Sequence, residues 1–187
     1  MRNILILACL LLVLTASVVG AESWTTQMTT TENPIPYIDV VTTATHMGTF
    51  WKWTYVLTPK DTATGIQGVT ITLADSAVAA LVSNITATDS LNNPLTGWTM
   101  IVSTGSKKVY WQTDPTLPTF NPLNAGSTWA FSFEHPLGPS ANCKISAQDD
   151  YGYSGDVHGP AVPEPMGIMV SIMGLCSLAG FRKLCKK

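Results

Sequence analysis

The stretch TFWKWTYVLT, residues 49–58, decides the fold class. Large apolar side chains occupy every second position within it: Trp51, Trp53, Tyr55 and Leu57. Successive side chains of a β-strand point to opposite faces of the sheet, so these four share one face. The period of two therefore predicts a strand with one buried face.

The same alternation continues in the segments on either side. Residues 37–47 are rich in β-branched side chains, which favour strands. In residues 66–75 the pattern buries Val69, Ile71 and Leu73, and in residues 128–135 it buries Trp129, Phe131 and Phe133. Clusters of Gly, Pro, Asn and Ser separate these segments and indicate turns.

A hairpin is predicted in GWTMIVSTGSKKVYWQTD, with strands at 98–102 and 108–112 around a turn at 103–106. Residues 84–90 and 142–159 are further extended segments, whereas SAVAALVS, residues 76–83, fits either a helical turn or an apolar strand. Seven or eight short strands without a long amphipathic helix predict an all-β fold, a single antiparallel β-sandwich.

The amino-terminal segment is typical of a secretory signal peptide. Arg2 precedes an unbroken apolar run at residues 4–14, and Val19 and Ala21 place small residues at the −3 and −1 positions. Signal peptidase is therefore expected to cut between Ala21 and Glu22. The alternative, lipoprotein processing at Cys9, has too little apolar sequence before it.

The carboxyl-terminal segment has three parts in a fixed order. The motif VPEP at residues 162–165 is followed by an uncharged apolar run at 166–181 and a basic tail at 182–187. Sixteen helical residues span about 24 Å, slightly less than the roughly 30 Å hydrocarbon core. The basic tail marks the cytoplasmic side, which places the preceding domain outside.

This tripartite ending resembles the PEP-CTERM sorting signal of Gram-negative-type bacteria that make extracellular polysaccharide. The resemblance covers residues 161–187, and the family motif falls on Pro163, Glu164 and Pro165. It implies that an exosortase processes the protein after a transient stay in the inner membrane, N-terminus out, on its way to the cell envelope, surface or biofilm matrix. A permanent membrane anchor is the alternative.

Residues 22–160 are then the exported domain, between a signal peptide at 1–21 and the sorting signal. The aromatic strands and the closing GPAVPEP resemble exported sandwich domains found before this signal. That resemblance implies an immunoglobulin-like or fibronectin-like fold and no particular activity.

The charge and cysteine content of the exported domain bear on nucleic-acid binding, disulfide formation and thiol chemistry. Residues 22–160 carry five lysines, no arginine and eleven acids, a balance of −6, which argues against nucleic-acid binding. Cys143 is the only cysteine of this segment, so no internal disulfide forms there. A buried, unreactive Cys143 is favoured over an intermolecular bridge or a nucleophile.

No catalytic or metal-binding pattern emerges from the sequence. His46, His135 and His158 are widely separated, and QDDYGYSGD at 148–156 fits a solvated acidic loop better than a calcium site. We therefore expect no metal, no cofactor and no enzymatic activity, and a secreted hydrolase is the weakest alternative.

Aromatic residues are the remaining candidates for a binding site. Trp24, Trp51, Trp98 and Trp111 are candidate carbohydrate contacts, although core packing explains most strand aromatics better. Trp24 and Tyr37 lie outside the strongest strand patterns and are expected to be more exposed. The leading function is a structural or adhesive surface protein, and a carbohydrate-binding module for exopolysaccharide is the alternative.

Overall fold

The computed structural model describes residues 20–30, 37–60, 65–74, 77–113, 116, 122–148 and 152–161. Ten strands occupy these ranges. They are β1 Ala21–Thr30, β2 Tyr37–His46, β3 Trp51–Lys60, β4 Gly68–Thr72, β5 Ser83–Asp89, β6 Trp98–Ser103, β7 Lys108–Thr113, β8 Trp129–His135, β9 Pro139–Gln148 and β10 Gly152–Pro160.

The strands form two facing layers that are joined along one edge. The hydrogen-bonded order is β5-β8-β3-β2-β1 followed by β10-β9-β4-β7-β6, and neighbouring strands run antiparallel. Rings from the two halves meet across the core: the Trp111 ring of β7 lies 5.6 Å from Phe131 of β8. The predicted antiparallel β-sandwich is therefore confirmed.

The strand order matches that of an immunoglobulin constant-type domain. Such a domain has strands A-B-E-D in one sheet and C-F-G in the other. Here β2-β3-β8-β5 gives the first order and β4-β9-β10 the second. Strand β1 is added beside β2, and the β6–β7 hairpin widens the second layer beside β4.

The core lies between the layers and follows the predicted alternation. Trp53, Tyr55 and Leu57 are fully buried, while Trp51, at the start of β3, is half-buried. The other residues predicted to be buried are also in the core: Val69, Ile71, Leu73, Trp129, Phe131 and Phe133. Because side chains of facing sheets interdigitate, this aromatic-rich core stabilises the sandwich without a disulfide.

The structure corrects the expected strand count and resolves two further expectations. The described residues contain ten strands rather than the expected seven or eight, because residues 21–30 form β1 and the final extended stretch divides into β9 and β10. Trp24 and Tyr37 lie within the paired strands β1 and β2 and are half-buried, so they are more exposed than the buried Trp98 and Trp111, as expected. The ambiguous SAVAALVS segment contains a short 3₁₀ turn at Ala79–Leu81.

The alternating strand directions give the sandwich two distinct ends. Strand β1 begins and β10 ends at one of them, which we call the basal end. The connections after β2, β4, β6 and β8 also lie there. Strands β1, β3, β5, β7 and β9 end at the opposite side, which we call the apical end.

Candidate functional site

A cleft opens where the two layers separate between β1 and β10. These strands pair only at Thr29↔Ser154 and Thr30↔Tyr153, near the apical end. Toward the basal end they diverge around a space of about 200 Å³. The residues that line it are Trp24, Thr25, Thr26, Thr42, Asp156, Val157 and His158.

A stacked aromatic pair spans this cleft. The Trp24 indole and the His158 imidazole lie 4.2 Å apart between centroids and are inclined by 14°. Trp24 also lies 6.4 Å from the buried ring of Trp53, nearly parallel to it. Partial burial and these two ring contacts position Trp24 at the mouth of the cleft.

The backbone beneath His158 is held by Tyr55. Its hydroxyl donates a hydrogen bond to the His158 carbonyl at 3.1 Å. Burial raises the pKa of Tyr55 well above its ordinary value, and the nearby Cys143 acts in the same direction. Tyr55 thus remains a protonated donor and fixes the end of β10.

Polar groups surround the aromatic pair. Asp156 is exposed on β10, Thr25 is exposed on β1, and the Thr42 side chain is buried at the base. A ring edge beside a carboxylate and hydroxyl groups provides an apolar contact together with hydrogen-bonding partners at its rim. This combination is suited to a small polar ligand with apolar C–H faces.

The four tryptophans proposed from the sequence do not share a site. Trp98 and Trp111 are buried, and the Trp111 Nε1–H donates to the Thr86 carbonyl at 3.0 Å. A buried ring offers no face to a sugar, which removes both as carbohydrate contacts. Trp51 is half-buried against His46, 4.8 Å away, and does not line the cleft.

The cleft residues Asp156 and His158 were not recognised from the sequence as partners of Trp24. Their association depends on the first and last strands lying side by side, which no local pattern encodes. Among the described residues, no group of three His, Cys, Asp or Glu side chains is placed to hold a metal. Asp149 and Asp150 of the acidic segment lie outside the described residues.

Cys143 has the environment of a core residue. It is a buried free cysteine on β9. Burial raises the pKa of its thiol to about 11, against a smaller opposing effect from the backbone of Ala74. The thiolate is the nucleophilic form, so this thiol is unreactive at neutral pH.

The predicted processing segments lie largely beyond this part of the molecule. Strand β1 begins at Ala21, next to the expected cut before Glu22. The sorting motif, the apolar run and the basic tail lie outside the described residues. Within the described residues, no helix has the length and apolar character required to span a bilayer.

Comparisons with known proteins give structural likenesses only. No family model and no curated protein matches the chain. A solved structure of an uncharacterized protein from Nocardia farcinica, described as immunoglobulin-like, is 19% identical with a TM-score of 0.41; the match covers 67% of this chain and 88% of that one. The KRT10-binding region domain of the pneumococcal serine rich repeat protein PsrP is 12% identical with a TM-score of 0.40. That match covers 77% of this chain and 100% of that one. The fold assignment rests on the strand order and core described above.

Proposed function

We propose that this chain is an exported, non-enzymatic protein of the cell surface or extracellular matrix, with a structural or adhesive role. An exosortase would process its carboxyl terminus. One observation carries the proposal: the strands run from Ala21 to Pro160, from the expected signal peptidase site to three residues before Pro163. The described strands thus lie between the two proposed processing segments. The mass of the mature protein, which reveals where both termini were cut, tests this proposal.

The sandwich itself supports a structural role. Its aromatic side chains are largely used in the core, with Trp53, Trp111 and Phe133 fully buried. Its outer strand positions carry many hydroxyl groups, as in the exposed Thr25 and Thr29 of β1. Such hydroxyl groups keep the surface hydrated and can hydrogen-bond to polysaccharide.

A second candidate function is carbohydrate binding in the β1–β10 cleft. Its support is the placement of Trp24 beside Asp156 and His158. This candidate retains Trp24 from the four tryptophans identified in the sequence. Its ligand class would be a pyranose unit of the producing cell's exopolysaccharide, with one apolar sugar face against the exposed part of the indole.

Trp24→Ala is expected to weaken binding of the full chain to purified exopolysaccharide about tenfold, because a central aromatic contact is removed. Trp51→Ala is the matched control, since Trp51 is equally a half-buried tryptophan but lies outside the cleft. Calorimetry or polysaccharide pull-down measures the affinity, and circular dichroism verifies folding. Equal losses in both variants, or no binding by the unmodified protein, would rule out the cleft as the sugar site.

A further inference from the structure

Three exposed apolar side chains are found in the connections of the basal end. Met47 and Val78 are each 52% exposed and Leu81 is 48% exposed. Met47 follows β2, and the other two belong to the connection between β4 and β5. Exposed apolar side chains grouped at one end of a domain mark an interaction surface more often than scattered ones do.

Hydrogen bonds hold this surface in place. The His135 side chain, at the basal end of β8, bonds through Nε2 to the Val78 carbonyl at 3.1 Å. The Leu81 N–H donates to the same carbonyl at 2.9 Å, and the Leu73 N–H donates to the Lys107 carbonyl at 2.9 Å. The β4–β5 connection is therefore fixed both to β8 and to the β6–β7 turn.

Lysines flank the apolar side chains. Lys52 is exposed near the start of β3, and Lys107 and Lys108 lie at the β6–β7 turn. Glu22 and Glu134 lie at the same end, and Lys144 and Asp156 share the cross-strand row of Lys108. Counting these residues gives four lysines and three acids at this end, against five lysines and five acids among all described residues.

The chain leaves the sandwich at this end. Ala161 is the last described residue, and the predicted apolar span starts at Met166, five residues later. Five extended residues reach at most about 18 Å. If Met166 enters the hydrocarbon, the basal end must stay within that distance of the bilayer.

We propose that the basal end is a membrane-docking surface, which lies against the bilayer with Met47, Val78 and Leu81 at the interface. Lys52, Lys107 and Lys108 would contact anionic headgroups. Apolar residues beside lysines are the combination that binds lipid interfaces. The inference rests on the proposed membrane-held stage, and it adds an orientation: the apical end faces outward during processing.

A photocrosslinking experiment tests the orientation. The full chain carries a photoreactive phenylalanine derivative at position 78 or, as control, at position 91, and is mixed with phosphatidylcholine vesicles containing about 30% phosphatidylglycerol. Leu91 is 77% exposed in the apical β5–β6 connection, so it is the more accessible site. Lipid adducts are expected to be about tenfold more abundant at position 78 than at 91.

Charge variants sharpen the test. Lys108→Gln is expected to lower the adduct yield at position 78 about fivefold, as is a rise in salt to about 0.5 M. Lys60→Gln, at the apical end of β3, is the matched control and should leave the yield unchanged. Equal adducts at positions 78 and 91, or protein dimers crosslinked through position 78 in place of lipid adducts, would overturn the docking surface.

Vesicle flotation separates this inference from the proposed anchor. A chain that floats with neutral vesicles but labels both ends equally is anchored without docking. A chain that floats only with anionic vesicles, and is released by salt, has the docking surface but no anchor. A chain that floats with neither neutral nor anionic vesicles overturns both the membrane anchor and the docking surface.

Discussion

Replacing Gly159 by alanine is expected to lower the free energy of unfolding by about 3 kcal/mol, the upper part of the range for overpacked cores. A Cβ atom at this position would lie 2.1 Å from Cys143 Sγ and 2.9 Å from its Cβ. Cys143 is buried on the paired strand β9, and the contact involves its Cβ as well as its sulfur, so rotation about χ1 alone cannot relieve it. Urea denaturation of the full chain measures the change.

Gly152→Ala is the matched control, because it lies on the same strand with no atom within 4 Å of the added methyl. Its effect should remain within about 0.5 kcal/mol. Combining Gly159→Ala with Cys143→Ala should recover part of the loss, since the shortest contact disappears. Equal stability of the Gly159 and Gly152 variants would show that β9 and β10 do not approach as described.

His135→Ala is expected to cost about 3 kcal/mol at pH 7.5. The imidazole is fully buried and uses both nitrogens: Nδ1 accepts the Leu137 N–H at 3.1 Å, which leaves Nε2–H to donate to the Val78 carbonyl. Truncation removes both bonds and leaves a cavity. His46→Ala is the control, because His46 is only half-buried, and it should cost less than about 1 kcal/mol.

The same histidine gives the unmodified protein a pH dependence. Burial lowers the pKa of His135 below 6.5, against a smaller opposing effect from its bond to Val78. As pH falls, His135 is therefore protonated in the unfolded chain before it is protonated in the folded protein. The stabilisation that neutral His135 contributes is complete above pH 6.5 and is lost as the pH falls below that value. The loss cannot exceed about 1.4 kcal/mol per pH unit for one proton.

Comparing the unmodified protein with His135→Ala isolates this effect from other titrating groups. Between pH 6.5 and the lowered pKa of His135, the difference in unfolding free energy between the two proteins should shrink as pH falls. A constant difference over this interval would mean that His135 titrates in the folded protein as it does in the unfolded chain.

The strands could be predicted from the sequence because apolar residues recur at every second position within them. Trp53, Tyr55 and Leu57 are buried as predicted, and the β6–β7 hairpin extends each predicted strand by one residue. Strand β1 was missed because it has little apolar alternation: only Trp24 and Met28 among its ten residues are large and apolar. Its four threonines favour a strand, and pairing with β2 along nine positions, which no local pattern reveals, holds it in the sheet.

The candidate site was harder to predict from the sequence than the fold. Trp24 and His158 are separated by most of the domain and meet only because β1 and β10 join the two layers. Alternation alone could not distinguish the buried Trp98 and Trp111 from the half-buried Trp24, since all three occur in strands. The sequence alone could not place Met47 and Val78 at the same end of the sandwich, because that placement depends on the directions of the strands.

Intact mass spectrometry of the protein from producing cells, with and without the exosortase gene, tests the proposed function most directly. With the enzyme present, we expect a mature chain that begins at Glu22 and ends near Pro163, Glu164 or Pro165. Without it, the chain should begin at Glu22 and continue to Lys187. A carboxyl terminus at Lys187 in both strains would contradict sorting and leave a permanently anchored protein.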